Sequence, residues 1–397
     1  ALDAYARYRF YDRYRFLCLG YRENFTDAER QQGLLHPGIR GVGGMFSDKD
    51  LRNLIIPVFV EQFLLMLVGI ADTVVVSFAS EAAVSGVSLV NSFNTVLVFL
   101  FTALSAGGAV IISQYIGFGN KQKAGVSASQ LLMISILISG VLSVLILIFS
   151  NQLLSLLFGD VDPDVMEACR VYLRILTCSL PALAVYDAGA ALCRSVGKAN
   201  VTMYISLAAN GINIIGNCVG VFVLKLGAAG VAWPSLISRI LSAAAVTAFC
   251  LNSGWEAHYR VRDIFSWNNA ILKKIMYIAL PNGAENGIHQ FVKVALSSMV
   301  AMFGTYQIAA NGVAQSIWSL ASIMGLAMAP VYTTVIGQCM GAHDTGSANF
   351  YFRKLNKITL FLSIFWNVLV FFFFSLIIGH SAIFPEGKSL VIWLFLI

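Results

Sequence analysis

Two acidic side chains lie inside a long apolar stretch of this sequence. Residues 53–78 are long and apolar enough to cross a bilayer, for which about 20 residues suffice, yet they include Glu61 and Asp72. A carboxylate at membrane depth costs roughly 2.5–3.5 kcal/mol or more, so it normally faces protein or a wet cavity and marks a functional site. The two acids are spaced by nearly three helical turns, which places them on almost one helix face.

Three amide side chains form a second polar stripe in another apolar stretch. Asn210, Asn213 and Asn217 recur at helical spacing and share one face. With Asp72 they predict a cation or proton site, because carboxylate and amide oxygens bind hard cations such as Na+ and also hydrogen-bond a protonated acid. The alternative is that the amides only hold helices together, for about 0.6 kcal/mol each.

A third polar stripe carries both charge signs. Glu285, His289 and Lys293 are spaced by four residues along one predicted helix, with Asn286 beside them. This ladder predicts a proton relay or a binding surface for an ion, and the alternative is a self-neutralising stripe that lets the helix insert. The predicted substrate-cavity residues are Glu61, Asp187, Glu285, Asn286, His289 and Lys293.

Asp187 follows a tyrosine, as in intramembrane aspartyl proteases, but the second Asp that such enzymes need in a GxGD setting is missing. Asp72 lies in GIAD, which lacks the first glycine. Motifs of metalloproteases, P-loop proteins, serine hydrolases and dinucleotide-binding enzymes are also missing from positions where they could work. The sequence therefore predicts no enzyme and no cofactor.

An internal repeat relates the two halves of the chain. Pro57 and Glu61 recur as Pro281 and Glu285, 224 positions later. The same shift without gaps relates further pairs: Ser92 and Ser316, Ala103 and Ala327, Gln114 and Gln338, Gly117 and Gly341, and Ala124 and Ala348. Two related halves with acids at one depth are typical of secondary transporters.

Composition predicts an all-α polytopic membrane protein. Of 397 residues 58% are hydrophobic and 12% charged, and the mean hydropathy is +0.77. The predicted spans are 53–78, 83–112, 127–149, 170–192, 200–224, 229–252, 270–301, 306–336 and 357–380, and a tenth begins near 389. The net charge of +6 comes from loop and terminal residues, so it does not indicate a nucleic-acid partner.

The distribution of basic residues predicts the orientation. The loops on the side of the N-terminus carry eleven basic residues against four on the other side, which predicts a cytoplasmic N-terminus and a multi-pass protein of the cell (inner) membrane. Residues 1–44 are predicted to be a disordered or non-native extension, or else a basic surface segment. A six-helix lobe at 45–252, a linker at 253–274 and a partial second lobe at 275–397 complete the predicted organisation.

Several motifs resemble those of the multidrug and toxic compound extrusion (MATE) family of bacterial transporters. They are GIADTVVVS, SQYIGFGN, LCRSVGKANVTM and the three spaced asparagines in the first half, and LPNGAENG and GQCMGAHD in the second. The resemblance covers about residues 45–397 and implies two six-helix lobes around a V-shaped cavity, of which the second would be cut short here. It also implies that Asp72 and Asn213 bind a cation together with an acid at the position of Asn217, and that Glu285 corresponds loosely to an acid in the second lobe.

The predicted function is export of amphipathic organic cations or drugs by alternating access, coupled to Na+ or H+, by a monomer in the lipid bilayer. The alternative is a flippase of lipid-linked precursors, which would favour a basic, lipid-open cavity. A non-transporting membrane receptor is a third possibility, but it has no need of paired acids in a repeat.

Overall fold

The computed structural model describes residues 44–158, 161–301 and 318–380, and these are helical with short connections. The helices of the first half are α1 (Asp48–Ser77), α2 (Glu81–Gly117), α3 (Lys121–Ile148), α4 (Ser150–Phe158), α5 (Pro163–Cys178), α6 (Leu180–Ser195), α7 (Ala199–Cys218) with a π-helical turn (Val219–Val223), and α8 (Ala229–Cys250). Those of the second half are α9 (Val261–Ile264), α10 (Asn269–Ala301), α11 (Ile323–Gly341) and α12 (Thr345–His380).

Short polar side chains start the long helices by accepting hydrogen bonds from first-turn amides. The Ser47 hydroxyl accepts from the Asp50 amide at 3.2 Å, and Ser80 and Asn120 cap α2 and α3 in the same way. Pro57 and Pro281 lie inside α1 and α10, where an interior proline is tolerated if neighbouring groups satisfy the freed backbone.

The prediction of a multi-pass helical membrane protein is confirmed. Among the described residues, seven helices are long and apolar enough to cross a membrane, or eight if a bent pair counts as one span. That pair is α5 and α6, which meet at 43° around Ser179, so the span predicted at 170–192 is two helices. Pro181, in the first turn of α6, has no amide hydrogen with which to continue the α5 ladder.

The predicted boundaries differ from the structure in places. Helix α10 begins at Asn269, so the end of the linker predicted at 253–274 is helical, and the short helix α4 was not predicted. Three predictions lie wholly or largely outside the described residues: the extension at 1–44, the first part of the span at 306–336, and the tenth span near 389.

Helix ends repeat at the same 224-residue shift as the sequence. Helix α2 ends at Gly117 and α11 at Gly341, whereas α3 begins at Lys121 and α12 at Thr345. These two helix pairs therefore end and begin in the register that the sequence repeat predicts, whereas α10 begins three residues before the equivalent of Asp48.

The turn after α2 and the turn after α11 share one backbone conformation. Gly119 has φ +80° and its repeat equivalent, His343, has φ +59°. Glycine adopts this left-handed region freely, whereas other residues are strained by about 1–2 kcal/mol. Burial lowers the pKa of His343, which favours its neutral form.

Each half packs its first helix against the other half. Leu51 and Ile55 of α1 belong to a buried core with α11 and α12, whereas their repeat equivalents, Ile275 and Ala279 of α10, belong to a core with α2 and α3. These cores lie near the starts of α1 and α10. The two lobes are therefore pseudo-symmetric, and the start of the first helix of each lobe packs against the other lobe.

The pseudo-symmetry is closest where α2 crosses α11. A Cβ added to Gly117 would lie 1.9 Å from the carbonyl oxygen of Gln338, and one added to Gly341 would lie 2.0 Å from that of Gln114. These two contacts are repeat equivalents of each other. The backbones can approach so closely only because both positions lack a side chain.

We expect Gly117→Ala, and equally Gly341→Ala, to lower the thermal unfolding midpoint of the purified protein. The added methyl meets backbone that cannot rotate away, and such overpacking costs about 1–3 kcal/mol. Gly140→Ala is the control, because nothing lies within 4 Å of its added Cβ and alanine is the better helix former by about 1 kcal/mol. Equal midpoints for Gly117→Ala and Gly140→Ala would contradict the close crossing.

Candidate ion and substrate site

Asp72 lies against the asparagine stripe of α7 inside the first lobe. The Asn217 side-chain Nδ2 donates to Asp72 Oδ1 at 2.5 Å and to Asn213 Oδ1 at 3.1 Å, and Asn213 Nδ2 donates to Ser235 Oγ of α8 at 3.0 Å. Asn213 and Asn217 are buried, and Asp72 is half-buried. The structure thus brings together the acid and two of the amides that the sequence singled out.

The third amide of the stripe is placed differently. Asn210 Nδ2 donates to Ser206 Oγ, one turn earlier on the same helix, at 3.4 Å. This weak intrahelical bond leaves Asn210 outside the chain of hydrogen bonds that runs from Asp72 to Ser235. Its predicted role in ion binding stays a prediction.

One oxygen beside Asp72 is buried without a hydrogen bond. Within the described part of the chain, Asn217 Oδ1 has no partner, although Asn217 is fully buried. An unsatisfied buried acceptor costs about 1–3 kcal/mol, so such an atom in a native protein calls for a water, an ion or a donor. The carboxylate and this amide oxygen together provide two oxygen ligands for a cation.

Arg239 of α8 is a positive charge that interacts electrostatically with this cluster. Its guanidinium donates to Ser179 Oγ at 2.8 Å, at the bend between α5 and α6, and it interacts electrostatically with Asp72, Asp187 and Tyr172. The sequence could not show this position, because residues on α5, α6 and α8 meet there only after folding.

Glu61 lies in a closed network rather than at an open surface. It is 2% exposed and accepts hydrogen bonds from Tyr186 at 2.8 Å, Arg194 at 3.3 Å and Thr202 at 3.1 Å. Arg194, in the last turn of α6, turns its side chain inward to Glu61. The predicted substrate-cavity role of Glu61 stays a prediction, and any ion that reached Glu61 would have to compete with this arginine.

Asp187 neighbours the same network. Its carboxylate interacts electrostatically with Arg194, Glu61 and Arg239, and its Oδ2 is buried with no hydrogen-bond partner among the described residues. In the interior of the first lobe, Arg194 therefore interacts with both Glu61 and Asp187, and Arg239 interacts with Asp187 as well. The predicted substrate-cavity role of Asp187 stays a prediction.

The acid–base ladder of the second half lies on one continuous helix, α10, as predicted. Glu285, Asn286 and Lys293 are half-buried and His289 is exposed, and Lys293 Nζ lies 5.0 Å from the ring centre of Trp318. Glu285 follows the interior proline of α10, Pro281, by four residues, just as Glu61 follows Pro57 of α1. The two acids thus lie at one helical register, and their assignment to a cavity stays a prediction.

A sequence model of the MatE family matches residues 57–219 and 281–391, two segments that begin 224 residues apart. The chain belongs to the MatE family. This membership explains the repeat, and it confirms the recognised resemblance and the predicted fold of two pseudo-symmetric helical lobes.

The chain is similar to several bacterial proteins. It is 25% identical over 303 residues to the Bacillus subtilis protein named uncharacterized transporter YisQ. The aligned region covers 75% of this chain and 66% of YisQ. It is 22% identical over 332 residues (82% of the chain, 70% of the relative) to the probable multidrug resistance protein NorM of Thermotoga maritima. The match to the multidrug export protein MepA of Staphylococcus aureus is 20% over 344 residues (86% and 72%).

The chain therefore spans about two thirds of the length of these relatives. The names of YisQ and MepA denote a transporter and an export protein rather than enzymes, which confirms the prediction of a non-enzymatic protein.

Solved structures share the fold. An outward-facing multidrug resistance MATE family transporter of the MOP superfamily matches with a TM-score of 0.78 at 21% identity, over 87% of this chain and 77% of that one. A MOP superfamily transporter from Pyrococcus furiosus matches with a TM-score of 0.79 at 19% identity, over 87% and 76%.

We expect Arg194→Gln to destabilise the protein by about 3–5 kcal/mol, because it leaves the buried Glu61 carboxylate without its cation. Glu61→Gln combined with Arg194→Gln should recover a large part of that loss. Thermal or denaturant unfolding of the single and double variants measures the coupling. Arg170→Gln is the control, since its pair with Glu167 is exposed and should contribute less than about 1 kcal/mol. A double variant no more stable than Arg194→Gln would contradict this coupling.

Proposed function

We propose that this protein exports amphipathic organic cations, including drugs, in exchange for Na+ or H+. The observation that carries the proposal is Asp72, a half-buried acid inside the first lobe. Among the described residues its hydrogen-bond donor is a neutral amide, that of Asn217, whose own oxygen has no partner there. Such a carboxylate can bind and release a cation without breaking an ion pair. The names of the relatives support the transport class.

Alternating access follows from two acids that serve different ligands. In our proposal Asp72, Asn213 and Asn217 hold the coupling ion in the first lobe, whereas Glu285 of α10 holds the positive end of the substrate. An ion or a substrate shifts the conformational equilibrium only by its difference in affinity for the two states. Binding of the substrate and binding of the ion therefore favour opposite states. Asn286, His289 and Lys293 line the same helix face and would set which substrates fit.

We further propose that the N-terminus is cytoplasmic and that the structure corresponds to an outward-facing state. The excess of basic residues lies on the side where α1, α3, α10 and α12 begin. The contacts between the lobes described above lie towards this same side, which would close the cytoplasmic entrance. We propose that the protein works as a monomer in the bilayer.

The ion role of Asp72 can be tested by binding. In the unaltered protein, higher Na+ or lower pH should weaken binding of the cation tetraphenylphosphonium, by about 5- to 150-fold if the two ligands are coupled in the usual range. Asp72→Asn keeps the shape and should abolish this dependence. Dependence on pH alone identifies H+ as the coupling ion, and dependence on Na+ identifies Na+.

Asp164→Asn provides the matched control, because Asp164 is an exposed acid in the first turn of α5. It should retain the ion dependence of the unaltered protein. If Asp72→Asn retains it as well, Asp72 does not carry the coupling ion.

Glu285→Gln should weaken binding of tetraphenylphosphonium by about tenfold, equivalent to about 1.4 kcal/mol of lost charge attraction, and change binding of a neutral amphipathic dye far less. Equilibrium titration of the purified protein with both ligands gives the two ratios. Glu167→Gln removes an exposed acid and serves as the control. Equal losses for the cationic and the neutral ligand would assign Glu285 to helix packing.

A further inference from the structure

An open groove with three basic side chains runs along the first turns of α12. Its lining consists of Gly346, Asn349, Phe350, Arg353, Lys354 and Lys357, and its volume is about 510 Å³. We call this surface the basic groove. All six residues belong to one helix, so within the described part of the chain no second helix lines the groove.

The repeat equivalent of this face, on α3, is covered by the chain between α8 and α10. Ser129 Oγ accepts from the Arg260 amide at 2.9 Å, and Gln130 Nε2 donates to the carbonyl oxygens of Asp263 at 2.7 Å and Ser266 at 2.5 Å. The face on α3 is thus a docking surface for backbone, recognised by neutral hydrogen-bonding side chains.

The two equivalent faces differ in charge. Shifted by 224 residues, Ser129 becomes Arg353, Gln130 becomes Lys354, and Met133 becomes Lys357. Three neutral positions on α3 are therefore three cations on α12. This difference argues that the basic groove takes an anionic occupant rather than a copy of the backbone segment that covers α3.

Two of the three cations remain available to an anion. Lys354 forms an ion pair with Asp48, the first residue of α1. Arg353 and Lys357 are exposed, and the ion pairs found among the described residues include neither of them. They lie one helical turn apart on the same face, a spacing at which both can reach one phosphate.

An apolar stripe continues from the cations along α12. Leu360, Phe361, Phe365 and Val368 are each at least 60% exposed. Their repeat equivalents are exposed in the first lobe as well, namely Ile136, Leu137, Val141 and Val144 of α3. Because helices α1 to α8 of the first lobe are all described, exposure of this stripe follows from the architecture of a lobe. The stripe therefore faces the lipid chains.

We propose that the basic groove binds an anionic phospholipid, with its phosphate at Arg353 and Lys357 and its acyl chains along the apolar stripe of α12. The groove lies on the basic side of the protein, where anionic lipids of the cytoplasmic leaflet would meet it. The residues whose backbone contacts α3, at 260, 263 and 266, correspond to His36, Ile39 and Val42. The stretch 33–43 around these equivalents contains no acid and includes Arg40, and the acids Asp27 and Glu29 precede it. Charge thus favours the lipid over this part of the chain.

The test is lipid binding to the full 397-residue chain in detergent, measured by native mass spectrometry with phosphatidylglycerol and phosphatidylcholine. Arg353→Gln combined with Lys357→Gln should weaken phosphatidylglycerol binding by about 30-fold, the equivalent of about 1 kcal/mol for each basic residue, and leave phosphatidylcholine binding unchanged. The matched control, Arg262→Gln with Lys273→Gln, removes the same charge from exposed positions on the same side.

Three results would overturn the proposal. An equal loss in the control pair would show that net charge, and not the groove, attracts the lipid. Displacement of phosphatidylglycerol by inorganic phosphate alone would indicate a site for a free anion. Tighter lipid binding to a chain that begins at Met45 would indicate that the preceding residues occupy the groove.

Discussion

A bilayer offers no water to a buried carboxylate, so each acid within the helices must find compensation inside the protein. Glu61 shows the consequence most fully. Its ion pair with Arg194 and its bonds to Tyr186 and Thr202 join α1, α6 and α7. At the end of α6 the carbonyl oxygen of Ser195 accepts from Gln338 of the second lobe at 2.8 Å. One charge requirement thus fixes three helices of the first lobe at the place where the second lobe docks.

The internal repeat gives both lobes the same backbone packing but not the same charged side chains. The glycine contacts between α2 and α11 obey the pseudo-symmetry because backbone packing depends on shape alone. Charged positions depart from it. Glu285 has the helical register of Glu61 but a less buried setting, and the neutral face of α3 corresponds to a cationic face on α12. Packing is therefore shared between the lobes, and side-chain charge distinguishes their roles.

The contact of Asp72 with the asparagine stripe was predicted from the chemistry of cation binding and not from spacing. Sequence periodicity and the shift of 224 residues were sufficient to predict most of the helices and the two lobes. They could not show the break at Ser179, since the bend depends on how α5 and α6 pack. Nor could they show the inward turn of Arg194 or the position of Arg239. Partners that meet only across several helices leave no pattern along the chain.

Glu61 and Asp72 lie on one helix, and the difference in their partners bears on which of them can exchange an ion. Glu61 is held by a full positive charge and two hydroxyl donors, so an incoming cation would have to displace Arg194 and leave a buried guanidinium unpaired. Asp72 is held by the neutral amide of Asn217, whose own oxygen is unpartnered among the described residues. A cation arriving there would gain two oxygen ligands and displace no charge. The ion pair of Glu61 with Arg194 therefore holds α1 against α6, and in our proposal Asp72 is the exchangeable acid of α1.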